Sequence, residues 1–187
     1  MVNKASKGKS KKIGWGIIGS SGWAEHTFAP AIEAARGAEL RAVLASTRTK
    51  AEDFCARHSI EGGYSRLDDF VADKSIDAVW ICGPNNMHKA HAVAALAAGK
   101  HVLCEKPMAI SPAECRAMIA AAKTARRKLQ IAYNTRHHPK LQAVQKDWMA
   151  GRFGKPVHGR CHLYYPYPVK LGGWHSREKE VGSWAFG

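Results

Sequence analysis

Between residues 13 and 133 short apolar runs alternate with stretches of helical periodicity, and that alternation leaves few folds open to the chain. Ile13-Gly14-Trp15-Gly16-Ile17-Ile18 reads as a short buried strand. A Gly/Ser turn follows. After it comes a helix with Ala24, Phe28, Ile32 and Ala35 on one face, stopped by Gly37. The spacing predicts further strands over 39–45, 76–82, His101–Cys104 and 129–133, with a weak strand or turn at Gly62-Gly63-Tyr64. Helices are expected over 51–58, Leu67–Ala72 and 87–98. Another should run from a cap at Ser111-Pro112-Ala113-Glu114 to about residue 128. Such alternation implies an α/β fold, a doubly wound parallel sheet covered on both faces and joined by right-handed crossovers. After residue 134 the pattern changes. A helix over 140–149 and a longer strand over 157–165 are expected, and 134–187 reads as the incomplete start of a second domain. One helix and one strand cannot close a core alone.

The chain has 187 residues, 45% of them hydrophobic and 9% aromatic, enough to bury a real core. No apolar run approaches the ~18 residues of a membrane span. Residues 1–12 hold five lysines and no acid, with no apolar segment behind them, so they read as a basic disordered tail and not a secretory signal. The tail supplies five of the +14 net charge and leaves +9 on the rest. That surplus suits a phosphorylated cofactor or an anionic substrate. Nucleic acid is the less favoured partner, because no interleaved aromatic–basic pattern or reader motif accompanies the charge. Five cysteines with no CxxC pair indicate a reducing compartment, hence a cytoplasmic location, with Cys82 and Cys104 as core residues of strands. His88 and His91, and His137 and His138, lack a third ligand at zinc-like spacing, so no metal site is expected.

Four segments carry chemistry. The first is the turn Gly19-Ser20-Ser21-Gly22-Trp23 between the first strand and its helix. A dinucleotide-binding turn needs glycine where the backbone bends and where it approaches a pyrophosphate, and the helix N-terminus then offers N–H groups to the phosphates. Gly19 fits the first glycine; Ser21 stands where the second is expected. The second segment is Ser46-Thr47-Arg48. An NAD-preferring site tends to place a carboxylate here for the ribose hydroxyls. Two hydroxyls and a guanidinium suit a 2′-phosphate instead, which favours NADP over NAD. The third is Glu105-Lys106-Pro107 at a strand end, where Lys106 is a candidate proton carrier or substrate clamp and a surface ion pair is the plainer alternative. The fourth is Pro84-Asn85-Asn86-Met87-His88: either a capped turn or, through Pro84, Asn85 and His88, a wall against the nicotinamide ribose.

Together these segments resemble the Gfo/Idh/MocA family of oxidoreductases, the glucose–fructose oxidoreductase and inositol dehydrogenase type. The likeness runs from Lys12 over nearly the whole chain. It is carried by Glu105-Lys106-Pro107, Pro84-Asn85 with His88, Tyr133-Asn134-Thr135-Arg136 with Pro139, and the stretch 151–156. The resemblance implies hydride transfer between NAD(P) and a sugar, polyol or related hydroxyl compound. Lys106 would be the catalytic lysine, with Lys106, Asn134 and Arg136 at the substrate. Gly19 to Trp23, Ser46 to Arg48, Pro84, Asn85, His88, Glu105 and Lys106 would surround the cofactor, and Trp174 would lie on the cofactor side. It also implies an open, mostly antiparallel second domain used for substrate binding and homo-oligomerisation. The family's Asp-x-x-x-His segment is absent after Gly182-Ser183-Trp184-Ala185-Phe186-Gly187. The expectation is therefore a C-terminally truncated oxidoreductase with an incomplete site, the alternative being a non-catalytic NADP-binding regulatory module.

Overall fold

A computed structural model describes residues 11–155, 157–160 and 162. Six strands form one parallel sheet: β1 (Ile13–Ile18), β2 (Ala38–Leu44), β3 (Gly62–Tyr64), β4 (Ala78–Ile81), β5 (His101–Cys104) and β6 (Leu129–Ile131). Their order across the sheet is β3-β2-β1-β4-β5-β6. The order reverses between β1 and β4, and ligands in such sheets bind at that switch point, outside the carboxyl ends of the strands. Between the strands run α1 (Ala29–Ala34), α2 (Arg48–His58), α3 (Leu67–Ala72), α4 (His88–Ala97) and α5 (Pro112–Ala125), and α6 (Pro139–Met149) follows β6.

Neighbouring strand residues point to opposite faces, which builds two cores. Ile18, Leu44, Val79, Ile81 and Val102 pack with Phe70 of α3, Leu96 of α4 and Met118 of α5. Ile17, Val43 and Trp80 pack on the other face with Ile32 of α1 and Phe54 of α2. Trp80 is fully buried and stacks on Phe28 with ring centroids 3.7 Å apart. The continuous apolar runs in the sequence follow from this double burial.

Boundaries differ from the sequence expectation mostly by one or two residues. One difference has a clear cause. The helix after β1 begins with a π-turn over Ala24–Phe28 before α1. A π-turn holds an extra residue, so Ala29 joins Ala24 and Ile32 in the buried face, Phe28 still packs against that core, and Ala35 becomes an exposed cap in extended conformation. Gly37 keeps its terminating role at φ +78°. The strand expected over 157–165 is not seen over 157–160, which have no regular structure; its remaining residues lie mainly outside those described. Helix α6 buries none of its residues, and Leu141, Val144 and Trp148 form an exposed apolar stripe along it.

Candidate functional site

Because the strands are parallel, the loops after β1, β2, β4 and β5 share one edge of the sheet. Gly19 follows β1 with φ +110°, a conformation closed to residues with a side chain. A Cβ there would lie 3.1 Å from Cys82 Sγ and 3.2 Å from the Gly83 nitrogen, so this glycine also lets the β1 loop close on the β4 loop. Its own N–H donates to the Leu44 carbonyl at 2.8 Å, which ties the same loop to β2. Cys82, expected as a strand residue, stands just past the end of β4 at the switch point. Its thiol donates to the carbonyls of Ile18 (3.4 Å) and Gly19 (3.2 Å). Burial pushes that thiol up to about 12, so it stays protonated and joins the two strand ends.

Ser21 takes the cap position of the following helix: its Oγ accepts from the Ala24 N–H at 3.4 Å. The N–H groups of Gly22 and Trp23, in the helix's first turn, have no intrahelical carbonyl to reach and are available to a phosphate. Open space surrounds Gly22, where the nearest atom to an added Cβ is His26 Cδ2 at 3.9 Å. Trp23 is about half exposed, and its indole N–H donates to Glu105 Oε1 at 3.3 Å, spanning from the β1 loop to the β5 loop.

At the end of β2, Ser46 is exposed and Thr47 caps α2, its Oγ accepting from the Lys50 N–H at 3.3 Å. Arg48 is the first residue of α2. Its Nε donates to Glu52 Oε1 at 2.7 Å, which raises its pKa, and Nη1 donates to the Gly63 carbonyl at 3.1 Å. The guanidinium is therefore half committed to the protein. Lys50, which the sequence reading passed over, brings its ammonium to 3.4 Å from Ser46 Oγ. Only the helical turn at 47–50 creates that neighbour; its spacing signal was the i, i+4 pair of Ser46 and Lys50 on a helix expected to start later. No acid occupies the first turn of α2.

After β5, Glu105 Oε2 accepts from the backbone N–H of Lys106 at 3.2 Å while Oε1 holds Trp23. The surface ion pair considered for Glu105 and Lys106 does not form. Lys106 is exposed, and among the described residues no ion pair or side-chain hydrogen bond engages its ammonium. After β4, Asn85 is buried and opens a 3-10 turn over Asn85–Met87 behind Pro84. His88 is 1% exposed, with Nδ1 at 2.8 Å from the Pro107 carbonyl and Nε2 at 3.1 Å from the Gly83 carbonyl. Both ring nitrogens are thus turned to backbone carbonyls, one in the loop after β4 and one in the loop after β5. Asn134 and Arg136 sit on an exposed 3-10 turn, Asn134–His137, after β6. Trp174 lies outside the described residues.

Among the described residues no cluster of three or more His, Cys, Asp or Glu could hold a metal, and no helix is long and apolar enough to cross a membrane. A groove of about 460 Å³ lined by Ile119, Lys123, Arg126, Arg127 and Lys128 lies where α5 ends and β6 begins. That is the opposite edge of the sheet from the loops above. Its cations face the carbonyl end of α5, where positive charge is favourable.

Comparison with known proteins agrees with this geometry. Residues 13–133 match the model of the GFO_IDH_MocA oxidoreductase family, described as an NAD-binding Rossmann fold. The chain is 30% identical over 168 residues to 1,5-anhydro-D-fructose reductase of Ensifer adhaerens, covering 90% of this chain and 50% of that protein. It is 35% identical over 134 residues to scyllo-inositol 2-dehydrogenase (NADP(+)) of Bacillus subtilis, covering 72% and 40%. An NAD-binding oxidoreductase of Klebsiella pneumoniae superposes with a TM-score of 0.72 at 31% identity, covering 78% of this chain and 41% of that one. The chain spans about half, or less, of the length of the curated relatives it matches. A six-stranded sheet of order 3-2-1-4-5-6, with a positive-φ glycine at its switch point and a family match over 13–133, places this chain in the GFO_IDH_MocA family of oxidoreductases.

Proposed function

We propose that residues 13–133 form the NADP-binding domain of an oxidoreductase that acts on a sugar, polyol or related hydroxyl compound, and that 134–187 open a second, substrate-binding and oligomerising domain behind the basic tail 1–12. The exposed Lys106 ammonium at the end of β5, unpaired among the described residues and two strands from the Gly19 turn, is the observation that carries the reading. Gly19 to Trp23 fit a pyrophosphate: a glycine bend, a capped helix start and N–H groups without intrahelical partners. Ser46, Thr47, Arg48 and Lys50 fit a 2′-phosphate, offering two hydroxyls, a partly free guanidinium and an ammonium around the start of α2. Pro84, Asn85 and Glu105 shape the loops beside it. The bound nicotinamide supplies the hydride chemistry. Lys106 Nζ hydrogen-bonds the substrate oxygen: as the ammonium it gives a proton to a carbonyl oxygen being reduced, and as the neutral amine it takes the proton from a hydroxyl being oxidised. Asn134 and Arg136, exposed after β6, bind the remaining substrate hydroxyls. The apolar stripe of α6 supports a second domain, since such a stripe is normally covered.

Fluorescence titration of the purified chain with NADPH and NADH tests the cofactor choice. NADPH should bind at least about tenfold tighter, one charge-assisted contact's worth of discrimination, and Arg48→Asp together with Lys50→Ala should abolish the preference. Equal affinity for the two cofactors would refute the 2′-phosphate site.

A further inference from the structure

We propose that His88 is a positioning residue that fixes the Lys106 loop against the loop following β4. The assignment rests on the reading of Lys106 and the cofactor edge given above. His88 is the first residue of α4 and is 1% exposed, yet it is no ordinary core histidine, because both ring nitrogens face backbone carbonyls of two different loops. Pro107, at 2.8 Å, is the residue after Lys106. Gly83, at 3.1 Å, belongs to the loop that Gly19 packs against. The imidazole is thus a strut between the β4 and β5 ends, as Cys82 is between the β1 and β4 ends. Through the two links the Gly19 turn and Lys106 are held in one frame.

The chemistry of the ring suits the role. It is rigid, with its two nitrogens directed apart, so one side chain can reach both carbonyls. A neutral imidazole has one N–H and donates to one of them; an imidazolium donates to both. Either form leaves the planar ring wedged between the loops. His91, one turn further along α4, offers the contrast. Its Nδ1 is buried with no hydrogen-bond partner, and burial, then the nearby His88, pushes its pKa down to about 4. His91 is a neutral packing residue of the same helix and makes no link between the loops.

The test uses the whole chain with its lysines converted to 13C-dimethyllysine and the Lys106 resonance assigned by Lys106→Arg. In His88→Ala the Lys106 resonance should shift and broaden, and NADPH should bind about tenfold or more weakly, as expected when a reacting group loses its placement. His88→Gln keeps an amide donor for one carbonyl and should restore part of both. His91→Ala should lower the melting temperature without moving the Lys106 signal. If His88→Ala does not fold, His88→Leu, which fills the space without a donor, decides, and an unchanged Lys106 signal in it overturns the proposal. So does an equal shift in His91→Ala, the mark of a purely structural effect. A wild-type chain that binds no NADPH would count against the cofactor reading, while the Lys106 signal would still decide the role of His88.

Discussion

At the scale of single residues, the proposed cofactor edge depends on one backbone position more than on any side chain. Gly19 combines φ +110° with a 3.1 Å approach of its missing Cβ to Cys82 Sγ. Gly19→Ala therefore adds backbone strain of about 1–3 kcal/mol and opens the contact between the β1 and β4 loops. A lower melting temperature and a loss of NADPH binding beyond what the stability change explains are the expected results, checked by calorimetry and titration. The glycine itself was legible in the sequence as the first of a turn. That the serine at 21 would serve as a helix cap was not, because a cap is defined by where its helix begins. Lys50 was hidden for the same reason. Its ammonium meets Ser46 Oγ only because α2 starts at Arg48, three residues before the expected helix. Lys50→Ala should weaken NADPH by several-fold and leave NADH nearly untouched, since NADH lacks the 2′-phosphate; parallel titrations of the two cofactors check this.

At the scale of elements, local signals located the helices and long-range ones decided their details. Ser111, Pro112 and Glu114 announced α5, and the structure shows the Glu114 N–H donating to Ser111 Oγ at 3.2 Å. Ser111→Ala should cost about 1 kcal/mol, read from denaturant melts. The π-turn at Ala24–Phe28 left no mark in the periodicity. It is compatible with a tertiary ion pair that no window of sequence contains: Glu25, inside the turn, receives two hydrogen bonds from Arg57 of α2, at 2.8 and 3.0 Å. His58 adds a contact at 3.1 Å. The Arg57 hydrogen bonds hold the Glu25 carboxyl below its ordinary range, against the opposing pull of burial. A carboxyl depressed in the folded state stabilises the fold above its unfolded pKa, and that contribution disappears as pH falls through the folded value. Glu25→Gln should therefore melt lower than wild type at pH 7. The gap should narrow as the pH drops below about 4, the unfolded carboxylate range, and thermal melts across that interval measure it. The strand expected over 157–165 failed over 157–160 for a complementary reason. A strand is completed by a neighbour, and β-forming composition alone names no neighbour.

At the scale of the whole molecule, parallel strand direction does most of the work of gathering the site. Once β1, β2, β4 and β5 run the same way, the Gly19 turn, the start of α2, the His88 strut and Lys106 fall on one edge although they span 88 positions of sequence, from 19 to 106. This was legible from the strand–helix alternation, because that pattern permits little but a parallel sheet. The distribution of charge was not. Part of the +14 surplus lies on the opposite edge, where Lys123, Arg126, Arg127 and Lys128 surround a groove remote from the proposed cofactor residues. A ligand bound along the cofactor edge would touch loops from four strands and bind only the folded chain. Its effect must then be global: at a concentration one hundred times its Kd, such a ligand adds about 2.7 kcal/mol of stability. NADPH at that level should raise the melting temperature of the intact chain by several degrees, and adenosine 2′,5′-bisphosphate, which carries the 2′-phosphate without the nicotinamide, should reproduce much of the shift at its own saturation. Lys123→Glu with Arg126→Glu, on the far edge, should leave both shifts as they are. A shift lost in that far-edge variant but kept in Lys50→Ala would move the phosphate site to the groove beside α5. Retention in the first and loss in the second would place it at the start of α2.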